Sequence, residues 1–490
     1  MRTLSVLVRA VGSISLVVAL ACDAGAPAPF EPRWAGVIEG FYGEPYTHEA
    51  RLQVIDFLAA RGLDTYVYGP KDDPYHRDRW REPYPTDAAS ELQALVAHGT
   101  TRGVRVVLAL APGSDYAADE ADEAALRAKL DQLLDMGAQS VCVLFDDVSP
   151  GSPAAEPEVQ VRALRLAYDH VRARDRDATV CFIGPYYFGT AEQLASGDTP
   201  PFAFSYEHPS DAYYDAYRAL PRDMPILWTG RHVIPTTITA EEARAMRRFV
   251  GRPLLVWDNV PVNDMVLTGD VFLGPWQRPG ELLGATDGVL LNLMTQPRAS
   301  LVMVGAAAHA MLEGSAPEAA WTTGAADVDA FLSSGDALQR LAPYYRSHPL
   351  LPDTRDAVQL AQRMETFWTD PSAANEAALR EELLAAEAIA ADVATLSDAT
   401  LITELAPAAA SVQRAAEVAR AALDAVLDAR NGGSPDRAAL EAQRAELRTL
   451  RPQPGGHAPV PSLVQRFISD GSSVRVDVFG AFVERALEEL

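Results

Sequence analysis

The sequence predicts an α/β protein, a (β/α)8 barrel of the TIM type followed by an α-helical bundle. Three observations lead there. Eight short apolar runs of strand type recur between Trp34 and about Leu293, and amphipathic stretches of helical length lie between most of them. Polar and aromatic residues stand directly after those runs, where a parallel barrel presents side chains to a ligand. Beyond about Arg298 the strand-like runs stop, and patterns rich in Ala, Leu, Glu and Arg take over. A doubly wound open sheet also fits the alternation, but no Gly-rich phosphate loop opens the first helix, where a dinucleotide site needs one.

Taken in order, the chain begins with a segment outside the fold. Arg2 and Arg9 precede an apolar run from Ala10 to Ala21, too short for an ordinary spanning helix and similar to the core of a secretory signal. It ends in Ala19-Leu20-Ala21-Cys22, and an Asp-Ala-Gly-Ala-Pro-Ala-Pro tether follows. Residues 1–22 therefore resemble a bacterial lipoprotein signal with Cys22 as the lipidated residue, and 23–33 read as the tether. A plain secretory signal is the alternative. Either way the protein is expected to be exported, as a membrane-anchored lipoprotein in the periplasm or at the cell surface, or else secreted. Cys142 and Cys181 are the other thiols, and both fall in strand-like runs where a buried, small apolar residue is expected rather than a disulfide or a metal ligand.

The first run, Ala35 to Ile38, leads into Glu39-Gly40-Phe41-Tyr42-Gly43, and the second, Leu63 to Tyr68, into Gly69-Pro70-Lys71-Asp72-Asp73. Val104 to Leu110 leads to Pro112-Gly113, Val141 to Phe145 to Asp146-Asp147, and Thr179 to Ile183 to Tyr186-Tyr187. Pro225 to Trp228 is followed by Thr229-Gly230, Leu254 to Trp257 by Asp258 to Asp264, and Gly288 to Leu291 by Asn292. Helical patterns at His48 to Arg61, Ala88 to Gly103, Asp119 to Gly137 and Glu156 to Arg174 separate the early runs. These place a barrel at 34–310. A helical domain at 311–490 carries patterns at Asp356 to Trp368, Ala373 to Leu396 and Thr403 to Ala429, then one ending near Thr449 and a last segment from Val474 to Leu490. Asn431 to Pro435 and Gln453 to Pro461 break that domain.

With 42 Lys plus Arg against 67 Asp plus Glu, a net charge of −25, the surface repels nucleic acid and anionic membranes. No nucleic-acid partner is expected, and membrane contact only through the lipid anchor. The strand ends instead gather Trp, Tyr and Phe with Asp, Asn and Lys, which suits a pyranose: its C–H faces pack on aromatic rings and its hydroxyls need donors and acceptors.

Asp146-Asp147 is the centre of that set, because a strand buried on both faces has no structural need for two acids at its end. Adjacent carboxylates there support three chemistries. Metal binding is not expected, since Glu39-Gly40-Phe41 stands where metal-dependent barrel hydrolases carry His-x-His. Ordinary retaining hydrolysis needs two carboxyls about 5–5.5 Å apart across the scissile bond, which neighbours in one strand scarcely provide. Substrate-assisted hydrolysis of a 2-acetamido sugar needs one carboxylate to orient the acetamide and a second to protonate the leaving oxygen and then activate water. The pair fits this, and two adjacent negative charges favour one acid keeping its proton.

Gly36-Val-Ile-Glu-Gly-Phe-Tyr-Gly43, Thr65 to Arg77 with Trp80-Arg-Glu-Pro83, Leu144-Phe-Asp-Asp-Val148, Leu227-Trp-Thr-Gly230 and Trp257 to Asp264 closely resemble glycoside hydrolase family 84. That family contains protein O-GlcNAcases and bacterial enzymes described as hyaluronidases. The resemblance spans roughly Trp34 to Ala310. It implies that Asp146 orients the acetamide and that Asp147 is the general acid/base. It further implies that the backbone of Gly40 and the side chains of Lys71, Asn259, Asp264 and Asn292 bind the sugar hydroxyls or the acetamide, with Asp264 on the non-reducing hydroxyls. Tyr187 would stack on or hydrogen-bond the N-acetyl pocket, and Trp257 would line it. The loop Gly184-Pro-Tyr-Tyr-Phe188 departs from the family's Pro-Thr-Glu/Asp-Tyr pattern and is one residue short. His76 and Arg77 read as supporting structure, and Asp73 and Asp258 have no assigned role. The expected activity is that of a retaining exo-β-N-acetylglucosaminidase acting through an oxazoline, with no cofactor and a GlcNAc-containing glycan or glycoprotein as substrate. Two other readings stay open: an endo-acting, hyaluronidase-like glycosidase and a non-catalytic carbohydrate-binding surface protein.

Overall fold

A computed structural model describes residues 33–196, 211–264, 269–348, 355–454 and 477–490. Cys22 and the leader lie outside the described residues, as does 455–476, which holds most of the second break and the start of the last segment. Eight parallel strands close on themselves: β1 (Trp34–Glu39), β2 (Thr65–Tyr68), β3 (Arg105–Leu110), β4 (Ser140–Leu144), β5 (Thr179–Ile183), β6 (Ile226–Trp228), β7 (Leu254–Asp258) and β8 (Gly288–Asn292). Each run expected from the sequence is a strand, with no end moved by more than two residues. Closure is made by β1 against β8, with Gly36 opposite Leu290 and Ile38 opposite Asn292.

Successive side chains of a strand point to opposite faces, so each strand serves two cores. Ile38, Val67, Leu144, Leu255 and Leu290 fill the barrel, whereas their neighbours Val37, Tyr66, Val143, Val256 and Leu291 face the surrounding helices. Cys142 and Cys181 stand side by side in the β4–β5 register inside the barrel, both buried and both free thiols.

The surrounding helices are α1 (His48–Ala60), α2 (Thr86–Arg102), α3 (Glu120–Asp135), α4 (Pro157–Arg174), α5 (Ala191–Ser196), α6 (Asp211–Arg218), α7 (Ala240–Val250), α8 (Leu282–Ala285) and α9 (Pro297–Glu313). Thr47 and Asp119 cap α1 and α3 through their side chains, and Thr239 with Glu242 forms a reciprocal capping box on α7. Helix α9 is buried from Pro297 to Met311, between the barrel and α10 (Pro317–Leu332). The two helices cross closely enough that a Cβ at Gly324 would lie 2.5 Å from the Ala306 backbone nitrogen.

Then come α11 (Ala337–Leu341), α12 (Val358–Thr369), α13 (Ala373–Ala394), α14 (Ala399–Arg430), α15 (Arg437–Leu447) and α16 (Val478–Glu489). Helix α14 starts four residues before the expected Thr403, because the Asp398 side chain accepts from the backbone of Thr400 and Leu401 and nucleates the first turn there. The same region ties the bundle to the barrel: Arg298, at the start of α9, pairs with Asp398 at 2.6 Å, and Glu404 accepts from the Ala299 backbone. Among the described residues no helix is long and apolar enough to cross a membrane.

Candidate active site

The inward parity of the barrel strands continues past their carboxyl ends. Counting by twos from Val67 reaches Lys71, from Leu144 reaches Asp146, from Trp257 reaches Asn259, and from Leu290 reaches Asn292. Asn292 ends β8 and Asn259 directly follows β7, so the strand pleat aims them over the barrel core, while Lys71 and Asp146 stand in the turns just past β2 and β4 and meet them there. Other acids near the strand ends have other tasks. Glu39 is fully buried and takes a two-pronged pair from Arg51, and Asp258 accepts from Arg278 and from Trp276 Nε1. Asp73 accepts from the hydroxyls of Tyr68 and Tyr84 and folds the loop after β2. Asp73 and Asp258 are therefore structural.

Parity alone would send Asp147 away from Asp146. It does not, because the chain leaves β4 in a turn and Asp147 adopts a left-handed φ of +58°. A non-glycine residue pays of the order of 1 kcal/mol or more for that conformation, and it persists where side-chain contacts enforce it. Here Tyr42, from the loop after β1, donates to Asp147 Oδ2 at 2.8 Å, and Tyr187, from the loop after β5, donates to Oδ1 at 2.9 Å. Both acids thus reach one mouth.

Asp146 is held differently. Lys71 Nζ donates to Oδ2 within a pair whose side chains are only 3% and 6% exposed. Asp146 Oδ1 is buried and has no hydrogen-bond partner. Lys71 and Asp72 do not pair with each other: Asp72 is exposed and accepts from the Gly43 backbone at 3.1 Å. The Lys71 ammonium also lies 5.4 Å from the centroid of the Trp257 ring, a favourable place for a cation over an aromatic face.

Trp257 forms the floor. Its ring passes so close to Gly40 that a Cβ there would sit 2.4 Å from a ring carbon, so only glycine fits. One chain of hydrogen bonds joins the rest of this wall. Gly40 N–H donates to Asn292 Oδ1 at 3.1 Å, Asn292 Nδ2 to Asn259 Oδ1 at 2.9 Å, and Trp257 Nε1 to that same oxygen at 2.8 Å. Asn259 Nδ2 donates to the Val233 carbonyl. Gly40 therefore offers a ligand its carbonyl rather than its N–H.

Asp264 closes the rim, its Oδ2 accepting from the Tyr42 backbone at 2.8 Å. Burial pushes its carboxyl up to about 6; the Tyr42 amide and the Lys71 ammonium pull it back, and charge on Asp147 adds to the rise. An unfolded Asp titrates near 3.9, so between about pH 4 and 6 the folded chain holds a proton that the unfolded chain has lost. Stability from this group is present below that window and is lost as pH rises through it. Asp264→Asn keeps an acceptor for Tyr42 and removes the charge. We expect the stability of the variant relative to wild type to rise by about 1–3 kcal/mol from pH 4 to pH 7, read by chemical denaturation. Parallel pH dependences in the two proteins would contradict it.

The structure brings Gly40, Lys71, Asp146, Asp147, Tyr187, Trp257, Asn259, Asp264 and Asn292 to one face. The Tyr187 hydroxyl lies on Asp147 here. Sequence reasoning missed Tyr42, although it sits in the Gly-Phe-Tyr-Gly motif, because nothing local says that its hydroxyl turns toward a carboxylate 105 residues away. Arg77, read as supporting structure, donates to Tyr42 Oη at 3.0 Å. His76 is buried, with Nδ1 on the Ala109 carbonyl, and burial lowers its pKa to about 4, so it stays neutral. Among the described residues no group of three or more His, Cys, Asp or Glu side chains is placed to hold a metal ion.

A closed parallel barrel with paired carboxylates and an aromatic ring at its strand ends suits a barrel glycoside hydrolase. A family model described as beta-N-acetylglucosaminidase matches residues 35–342, and the chain belongs to that family, glycoside hydrolase family 84. It is 31% identical to the protein O-GlcNAcases of Mus musculus and of Rattus norvegicus over 281 residues, which make up 55% of this chain and 29% of each relative. The matched segment thus spans less than a third of those proteins. A mutant of the Thermobaculum terrenum O-GlcNAc hydrolase superposes with a TM-score of 0.71 at 23% identity, covering 93% of this chain and 94% of that one. The shared fold therefore extends past the barrel.

Proposed function

We propose that the protein is an exo-acting, retaining β-N-acetylglucosaminidase that removes terminal β-linked GlcNAc, from protein in the first instance, by substrate-assisted catalysis. The observation that carries this reading is the bare, buried Oδ1 of Asp146. A buried acceptor without a donor costs about 1–3 kcal/mol, and a ligand N–H placed against it recovers that. The acetamide N–H of a bound GlcNAc is such a donor.

In this mechanism Asp146 accepts the acetamide N–H while Lys71 balances its charge from the other side. The acetamide oxygen then attacks the anomeric carbon. Asp147 gives its proton to the glycosidic oxygen, the C1–O bond breaks, and the oxazoline ring closes. Water next attacks C1 from the vacated face, Asp147 takes its proton, and the ring reopens; two inversions leave the β configuration. Asp264, Asn259 and Asn292 hold the sugar hydroxyls over the Trp257 floor.

Successive fluorination of the N-acetyl group weakens the attacking oxygen and should lower kcat/KM steadily, by about 100-fold overall, some 3 kcal/mol of barrier. A flat series rejects acetamide participation. Parallel incubation with O-GlcNAc-modified protein, hyaluronan and chitobiose tests the substrate class: release from hyaluronan alone would favour endo action. We also propose, from residues 1–22 of the sequence, that the enzyme is exported, with Cys22 as its lipid anchor.

A further inference from the structure

We propose that Arg77 is a positioning residue, acting through Tyr42 to aim one phenolic proton at Asp147 Oδ2, so that the proton exchanged with substrate is carried on Oδ1. This rests on the reading of Asp147 as the acid/base. A guanidinium has donors and no acceptor, so at 3.0 Å from Arg77 Nη1 the Tyr42 oxygen must be accepting. A phenol has one proton, and the remaining partner of that oxygen is Asp147 Oδ2 at 2.8 Å. Tyr42 therefore donates to Oδ2, and only there.

The rest of the loop removes the alternatives. The Tyr42 N–H is tied to Asp264 and the Gly43 N–H to Asp72, so the backbone is clamped on both sides of the ring. The Arg77 guanidinium carbon lies 5.3 Å from the ring centroid and restrains its tilt. Burial, with the charge on Asp147, raises the Tyr42 hydroxyl far above its ordinary range, which keeps the proton on the phenol. An oxygen that receives a fixed hydrogen bond is a poor place for the carboxylic proton. Oδ1 is left for it, and Tyr187, which donates to Oδ1 in this structure, must release it when Asp147 is protonated. Arg77 hydrogen-bonds neither acid, and its charge reaches both only through space, so Tyr42 is its one bonded route to Asp147.

The test compares Arg77→Met, Tyr42→Phe and the double variant on aryl N-acetylglucosaminides with poor and good leaving groups. Arg77→Met should lower kcat on the poor leaving group roughly 10- to 100-fold, with a several-fold smaller loss on the good one and KM within about twofold. Because Arg77 acts through Tyr42, the double variant should match Tyr42→Phe alone. Equal losses on both leaving groups, a change confined to KM, or additive losses in the double variant would overturn the inference. If Asp147→Asn shows a leaving-group dependence and Arg77→Met does not, this inference alone fails. If Asp147→Asn shows none, the acid/base reading fails and takes this one with it.

Discussion

Asp147→Asn is expected to reduce kcat on an aryl N-acetylglucosaminide with a poor leaving group by about 10³-fold, and by about tenfold or less on one with a good leaving group. An amide cannot give up a proton to a departing oxygen, so the loss follows how much the leaving group needs that proton. The left-handed turn that brings Asp147 beside Asp146 is held by Tyr42 and Tyr187, and both can still meet an amide, Tyr42 by donating to its oxygen and Tyr187 by accepting from its N–H. The substitution should therefore leave the geometry standing and remove the chemistry. Steady-state kinetics over a series of leaving groups measures it, and equal losses across the series would exclude the acid role.

Asp146→Asn should lower kcat on both leaving groups alike, by about 10²- to 10³-fold. The reason lies in how the site would rearrange. Lys71 is a donor only, so the new amide must turn its oxygen toward that ammonium. Its NH2 then occupies the place of the bare Oδ1 and faces the acetamide N–H, donor against donor. In the proposed mechanism, an attraction that would strengthen as the oxazoline forms becomes a repulsion. The same turn keeps Lys71 hydrogen-bonded, so the fold should suffer less than the about 3–5 kcal/mol lost when a buried pair loses one member outright. Kinetics paired with denaturation separates the two: a large loss of stability with unchanged kcat in the surviving fraction would exclude the orienting role.

Much of the site was legible because barrel strands put their chemistry at one end. Asn259 and Asn292 continue the inward register of β7 and β8, and Asp146 and Lys71 stand in the turns just past β4 and β2, all of it written in short stretches. Gly40 was legible as a motif residue, but its purpose was not. It makes room for Trp257, which arrives from β7 only when the barrel has closed. The roles of Asp73 and Asp258 were hidden for a similar reason: their partners Tyr84 and Arg278 lie across loops whose path no local pattern records. The early start of α14 could have been read, since Asp398 precedes it as a capping residue.

By itself the sequence determined the alternation of strands and helices, the acids at the end of β4 and the surface charge, since periodicity and strand-end chemistry belong to contiguous residues. Only the tertiary structure decided which oxygens of those acids are taken. Lys71 lies 75 residues from Asp146, and Tyr42 and Tyr187 lie 105 and 40 residues from Asp147. A hydrogen bond depends on separation in space, and closing eight strands into a ring turns those distances along the chain into contacts, leaving Asp146 Oδ1 buried and without a donor.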